Sequence, residues 1–506
     1  MSIGLQFQVI LNLMKADIFL SRKNDVYLKV LCDSSIGQEV SDHFCFDVPG
    51  AKFNPLYRNK MWDGKIRLYS LFTKELYVGL LPYLEHFCEV NNYTINYDQY
   101  VQQSDAVTPD LVRQFVEELN ILLPNGESVR DYQHDAIYRA ITDTRRLLLS
   151  PTGSGKSLII YCLLRWNEKF GRKQLILVPT TSLVEQMYSD FQSYSANNGW
   201  KASYNCSRIY SGHSKENLLP IVISTWQSVY ELPKKWFEQF QCVYGDEAHN
   251  FKAKSLTSIM HKMTQTPYRI GTTGTLDGTK THKLVLEGLF GPVYKVTTTK
   301  QLMDNEQLSN LKIFGLVLKY PDDVCNANKN LKYQEEMDFL CGYSQRNNFI
   351  KNLALSQTRN TLILFQFVEK HGKILYDLIA TKAKDRKVFF VHGGTETAQR
   401  EEIRQITEKE NNAIIVASYG TFSTGINIRN LYNIIFASPS KSRIRNLQSI
   451  GRGLRLGEED VRCTLYDIGD DMTWKSKKNY TLEHMVERIK IYADEQFDYS
   501  LAKVNL

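Results

Sequence analysis

The stretch Leu147-Leu148-Leu149-Ser150-Pro151-Thr152-Gly153-Ser154-Gly155-Lys156-Ser157-Leu158 decides the fold. An apolar run, a glycine-rich turn and a second apolar segment follow one another without a gap. The first run reads as a buried parallel strand and the second as a helix start. Between them, backbone N–H groups can wrap a phosphate chain, because Gly153 and Gly155 put no side chain in the way. In that pattern Lys156 neutralises the β- and γ-phosphates of ATP, and the Ser157 hydroxyl holds Mg²⁺. Pro151, Thr152 and Ser154 complete the cradle. Ser150 stands where G-x-x-x-x-G-K-[ST] opens with glycine, a small residue at the least demanding position.

Outward from this turn, apolar runs recur at 175–178, 221–223 and 242–244, alternating with amphipathic stretches. A second series runs through 361–365, 388–391, 413–417 and 434–437. Such alternation predicts βαβ units around parallel sheets, and so an α/β chain with two lobes of similar size. The run at 242–244 leads into Gly245-Asp246-Glu247-Ala248-His249. A carboxylate at a strand end facing a P-loop suits a Mg²⁺-binding acid, here Asp246, and Glu247 beside it can orient or deprotonate the attacking water. In the second lobe Gln448-Ser449-Ile450-Gly451-Arg452-Gly453-Leu454-Arg455 puts two arginines three apart on one helical face. With a P-loop and its acid already in the chain, Arg452 and Arg455 read as arginine fingers for the transferring phosphoryl group.

At 506 residues the chain has room for about three domains. With 43% hydrophobic and 23% charged residues it is globular, not disordered or fibrous. No apolar run reaches the ~18 residues of a membrane span, and the N-terminus lacks signal-peptide features, so a cytoplasmic chain without membrane contact is expected. Nine cysteines without a C-x-x-C pair argue against a disulfide framework or a zinc site.

Residues 1–125 carry 11 basic and 15 acidic side chains, and residues 126–300 carry 22 and 14. The first region reads as short strands mixed with helix. A helix from Pro109 through Leu119 is broken at Pro124-Asn125-Gly126. The expected domains are therefore 1–125, 126–318 and 319–506, with 320–332 as a polar linker. Although the first domain is net acidic, Lys52 to Lys74 holds six cations against Asp63 alone, with Tyr57, Trp62 and Tyr69 interleaved. Arg58, Lys60, Trp62, Lys65 and Arg67 are the candidates there for contacting nucleic-acid phosphates and bases. His134, His371 and His392 read as structural or solvated. Residues 1–13 carry no charge and are expected to be dispensable.

The order of these motifs resembles the superfamily 2 helicases of the DEAH-box kind. Arg130-Asp131-Tyr132-Gln133 is similar to the adenine-reading Q motif, through Gln133. Pro179-Thr180-Thr181-Ser182 and Ser224-Thr225-Trp226-Gln227 resemble the strand-tracking motifs, with Thr180 and Thr225 on the nucleic acid. Thr273-Gly274-Thr275 stands for the coupling motif that is more often Ser/Thr-Ala-Thr, so Thr273 and Thr275 would couple hydrolysis to movement. Ser418 to Asn427 resembles motif V, with Thr424 on the strand and Gly425 in coupling, and Gln448 opens motif VI.

A narrower resemblance, in Phe53-Asn54-Pro55, Trp62-Asp63-Gly64-Lys65-Ile66-Arg67 and the run Arg488 to Phe497, is to the UvsW family of phage recombination helicases. It implies two RecA-like lobes behind a small N-terminal α+β DNA-binding domain. It also implies ATP-driven 3′-to-5′ translocation and branch migration, with unwinding of forks, D-loops and R-loops in recombination, repair and replication control. The implied partners are branched and single-stranded DNA, RNA–DNA hybrids and phage recombination proteins, met by a monomer in the host cytoplasm. Read without the resemblance, the residues give a P-loop ATPase of two lobes. An ATP-switched clamp or annealing module, or an RNA helicase, stays open at that level.

Overall fold

The computed structural model describes residues 16–98, 107–123, 126–210, 212–216, 218–421, 428, 430–438, 442, 447, 449–451 and 462–506. The chain divides into two compact units, residues 1–150 with 155–296, and residues 151–154 with 297–506.

The first unit holds two sheets of different character. The N-terminal sheet is mixed and five-stranded, with Ile18–Arg22 antiparallel to Tyr27–Cys32 and parallel to Ile95–Tyr97. Its core of Ile18, Leu20, Val30, Leu76, Leu80 and Leu84 is fully buried. A separate antiparallel hairpin, Cys45–Asp47 with Lys65–Arg67, brackets the basic segment, which carries a 3-10 turn Ala51–Phe53 and a short helix Pro55–Arg58. Asn54 caps that helix through Leu56 N–H at 2.9 Å, and Pro55 fills its first position.

Behind it lies a seven-stranded sheet in the order Cys206–Ile209, Ile221–Thr225, Gln174–Val178, Cys242–Asp246, Tyr268–Thr273, Arg145–Leu149 and Val293–Lys295. Every pairing in it is parallel. Helices cover both faces, so the central strands are buried throughout, as unbroken aliphatic runs require. The second unit repeats the plan with a seven-stranded, all-parallel sheet whose centre is Thr361–Phe365 and Asn433–Phe436. Two buried ion pairs pin helices to its strand Cys463–Asp471, Arg346 to Asp470 at 2.7 Å and Arg488 to Asp467 at 2.8 Å. Arg488, part of the C-terminal resemblance, is therefore a structural residue.

The domain limits shift at both boundaries. The helix Pro109–Glu118 gives Val112, Phe115 and Val116 to the core of the parallel sheet, so it belongs to the first lobe and not to residues 1–125. The strand Leu311–Lys319 pairs with Cys463–Asp471 and Asp498–Asn505, which places it in the second lobe, ahead of residue 319. The expected linker 320–332 contains a helix, Asp322–Asn328, whose first turn holds two aspartates and whose Cys325 is buried. All nine cysteines are free thiols. Among the described residues no helix is long and apolar enough to cross a membrane.

Candidate nucleotide site and nucleic-acid surface

Three neighbouring strands of the first lobe end side by side, and each end carries one of the sequence motifs. Arg145–Leu149 runs into the glycine-rich turn, Cys242–Asp246 into the acids, and Tyr268–Thr273 into Thr275. Carboxyl ends of adjacent parallel strands are where open α/β sheets bind ligands. The turn is tied to its neighbour by Ser150 N–H, which donates to Thr273 O at 2.8 Å, and Ser150 itself is fully buried. Gly153 and Gly155 are left-handed, at φ 85° and 83°. A Cβ at Gly155 would lie 2.3 Å from Gln133 Nε2, so the turn requires glycine there for space as well as conformation. Gln133 is buried, its Oε1 accepting from Arg130 N–H at 2.9 Å, which turns its amide nitrogen towards the turn. Ser154 Oγ donates to Pro151 O at 2.6 Å. The helix Lys156–Glu168 starts immediately after, with Lys156 Nζ 3.3 Å from Ser150 O and Ser157 Oγ 3.1 Å from Tyr194 OH.

The acids are organised as tightly. Asp246 accepts from Thr272 Oγ1 at 2.8 Å. Burial and the adjacent Glu247 push the Asp246 carboxyl above its ordinary value, with Lys156 and the Thr272 hydroxyl opposing them. Glu247 adopts a left-handed backbone, φ 50°, which turns its carboxylate towards His249 Nδ1 at 3.3 Å. His249 Nδ1 is also 3.0 Å from Thr273 Oγ1. Because that hydroxyl donates to Thr275 O at 3.0 Å, the proton on the histidine side must come from Nδ1. Thr273 and Thr275 are buried, and Thr273 is linked to Glu247 through the His249 imidazole. A buried acid held above its ordinary range, beside Glu247 and within the influence of Lys156, fits a divalent cation, which would favour the ionised form.

Thr180 and Thr225 follow the adjacent strands Gln174–Val178 and Ile221–Thr225. Thr180 caps the helix Thr181–Tyr194 by accepting from Leu183 N–H at 3.3 Å, whereas Thr225 is only 5% exposed and bonded to Ser228. Trp226 is half-buried against the core. Thr424, Gly425, Gln448, Arg452 and Arg455 lie outside the described residues, as do residues 1–13.

On the hairpin, Arg58, Lys60, Lys65 and Arg67 are all exposed. They are not equivalent. Arg67 is paired with Asp63 at 2.6 Å, and Arg58 donates to Lys52 O at 3.2 Å. Trp62 is half-buried, its Nε1–H donating to Lys65 O at 2.8 Å. Tyr69 is only 2% exposed and belongs to the N-terminal core, so it cannot stack on a base. Its place among exposed apolar groups is taken by Phe53 and Met61, 67% and 75% exposed.

Residues 17–98 match the family described as DNA helicase UvsW, N-terminal. Residues 127–278 match the type III restriction enzyme res subunit family, and residues 345–457 the helicase conserved C-terminal domain. The ATP-dependent DNA helicase uvsW of Enterobacteria phage T4 is 35% identical over 95% of this chain and 98% of that protein. The chain belongs to the UvsW family of superfamily 2 DNA helicases. The crystal structure of T4 UvsW superposes with a TM-score of 0.52 at 34% identity, covering 97% of this chain and 99% of that one. A DNA 3′-5′ translocase, XPB2, of Sulfurisphaera tokodaii is 25% identical over 69% of this chain and 82% of its own length. The first family match ends at residue 98, in keeping with an N-terminal core that closes at Tyr97.

Sequence reasoning missed several side chains that this UvsW-family site depends on. Thr272, Tyr194 and His249 touch named motif residues, His282 touches the His249 carbonyl, and Asp277 touches His282. His249 stands inside the acidic motif itself, so its place in the sequence marks it. Tyr194 is 37 residues from Ser157, and no spacing in the sequence marks such a contact.

Proposed function

We propose that this ATP-dependent DNA helicase is a motor on branched DNA, moving 3′ to 5′, migrating junctions and unwinding forks, D-loops and R-loops in phage recombination, repair and replication control. The observation that carries the reading is that the P-loop, Asp246-Glu247 and Thr273 stand at the ends of three adjacent strands, with His249 between Glu247 and Thr273. In this mechanism the glycine turn and Lys156 hold the ATP phosphates, and Gln133 supports the turn. Ser157 and Asp246 would hold Mg²⁺, which supplies charge neutralisation on the phosphates. Glu247 takes the proton of the attacking water, and His249 orients Glu247 while contacting Thr273, so that hydrolysis reaches the coupling motif. Arg452 and Arg455 supply charge to the transferring phosphoryl group, with Gln448 and Gly425 in coupling. Thr180 and Thr424 contact the strand backbone, and Thr225 shapes its strand end from beneath the surface.

Contacts to phosphates carry no sequence information, so substrates are chosen by shape. Branched and single-stranded DNA and RNA–DNA hybrids are the proposed substrates, and phage recombination proteins the proposed partners. The chain is proposed to act as a monomer in the host cytoplasm. An ATPase assay with single-stranded DNA, duplex, fork, four-way junction and RNA–DNA hybrid as activators tests this, alongside fuel-dependent strand displacement on a fork. Strongest stimulation by branched DNA, with displacement only under hydrolysis, is expected. Closure on DNA without displacement would make the chain a clamp, and preference for RNA alone an RNA helicase.

A further inference from the structure

The helix Lys280–Phe290 starts a few residues after Thr275, and its first turn touches two distant parts of the first unit. On one side it meets the N-terminal hairpin: Thr281 Oγ1 donates to Asp47 O at 3.4 Å, and Lys280 Nζ lies 5.1 Å from the centre of the Phe46 ring. On the other it meets the acidic motif: His282 Nε2 is 3.0 Å from the carbonyl oxygen of His249. The second nitrogen of His282 faces Asp277 Oδ2 at 2.8 Å.

Both neighbours of this ring, a carbonyl and a carboxylate, are acceptors. The ring is 4% exposed and sits between the two, with the Asp277 carboxylate beside one nitrogen and the His249 carbonyl beside the other. Asp277 is itself fixed by Thr279, whose N–H and hydroxyl donate to it at 2.9 and 2.8 Å. Although burial opposes ionisation of Asp277, Thr279 and His282 hold its carboxyl below the ordinary value. A cavity of about 730 Å³ lies between this pair and the hairpin, lined by Val48, Ile66, Arg67 and Leu68 on one side and by Asp277 and His282 on the other. The hairpin and this pair thus face one another across open space.

We propose that His282, held by Asp277, is a positioning residue of the ATPase, fixing the backbone of the Asp246–His249 turn and relaying the seating of the hairpin to Glu247. The inference rests on the reading of Glu247 as the group that activates water. With the His249 carbonyl clamped by His282 and the His249 ring clamped by Thr273, the imidazole beside Glu247 has its position set from two sides. A change in how the hairpin sits on Lys280 and Thr281 then reaches that imidazole through one helical turn.

The test is steady-state ATPase of the full chain as wild type, His282→Gln and Asp277→Asn, with single-stranded DNA and a forked duplex as activators. His282→Gln should lower kcat roughly tenfold or more, in the range of lost orienting partners, with KM for ATP within about twofold. Asp277→Asn should lower kcat by a smaller factor. Both should abolish the excess of fork over single-strand stimulation while binding the fork as wild type does. A folded His282→Gln protein with wild-type kcat and a wild-type fork-to-single-strand ratio would overturn the proposal. If His282→Gln does not fold, Asp277→Asn decides on the same two readouts. Absence of DNA-stimulated hydrolysis in the wild type would instead overturn the helicase reading, and this inference with it.

Discussion

At the strand ends of the first lobe, each of the two candidate acids has a neighbour that sets its direction, Thr272 on Asp246 and His249 on Glu247, and the positioning His282 is held by Asp277. On the hairpin that brackets residues 48–64, Lys60 and Lys65 make no ion pair among the described residues, and Phe53 and Met61 face solvent. The difference suits what each region is proposed to meet. A phosphoryl transfer needs charges placed before the reaction begins, because reorganising them costs rate. A DNA surface of variable shape is better met by long side chains that settle on contact, at the cost of ordering them then. The first region should therefore respond to substitution through rate and the second through salt-dependent affinity.

Lys156→Ala gives the largest test of that division. It removes a charge aimed at the phosphates and should slow hydrolysis by ~10²-fold or more, with the fold and DNA binding kept. Hydrolysis within a few-fold of wild type would remove Lys156 from the site. Next is Lys60, Lys65 and Arg67 changed together to Ala. Because Arg67 is already paired with Asp63, only two unpaired cations are lost, and the log–log salt slope on duplex DNA should flatten by roughly 1.8 units, about 0.9 per contact. ATPase stimulated by single-stranded DNA should survive. A slope unchanged from wild type would place the DNA surface elsewhere.

A smaller effect is expected from Thr272→Val. Asp246 must be ionised to hold a cation, and burial beside Glu247 raises its carboxyl, so the acid limb of the pH–rate profile should lie higher than an unperturbed aspartate would put it. The Thr272 hydroxyl favours the ionised form, so its loss should move that limb to still higher pH. A limb that stays put would separate Asp246 from the pH dependence. The smallest is Trp62→Phe, which deletes the bond to Lys65 O and should cost the hairpin about 0.5–1.5 kcal/mol locally, read as faster amide exchange at 62–67.

Much of the nucleotide end was legible because its parts are consecutive in the chain. Strand, glycine turn and lysine occupy residues 147–156, and the acids directly follow a strand, so local pattern carries the geometry. Thr272 and His282 were illegible for the opposite reason: their partners lie 26 and 33 residues away and meet them only through sheet register and helix packing. The strand Leu311–Lys319 escaped because its burial alternates and lysines punctuate it, unlike the unbroken runs at the sheet centres. Tyr69 shows the limit of composition. It stands in a stretch rich in exposed cations, yet its ring packs with Leu68 and Leu76 in the N-terminal core.

The N-terminal region also reaches into the first lobe. Tyr83 OH donates at 2.6 Å to Glu287, a carboxylate 2% exposed on the helix Lys280–Phe290, and Tyr77 OH lies 2.9 Å from His261 Nε2. Gly79 approaches so closely that a Cβ there would overlap the Glu287 carbonyl. The region is thus not an interchangeable module. Removing residues 1–98 would uncover Glu287 and His261 and take away the proposed DNA surface, so a truncated protein that loses activity reports on the integrity of its ATPase as much as on its grip on DNA. By the same token, grafting this region onto another motor would require carrying the Lys280–Phe290 helix with it, and the two have to change together as a lineage diverges.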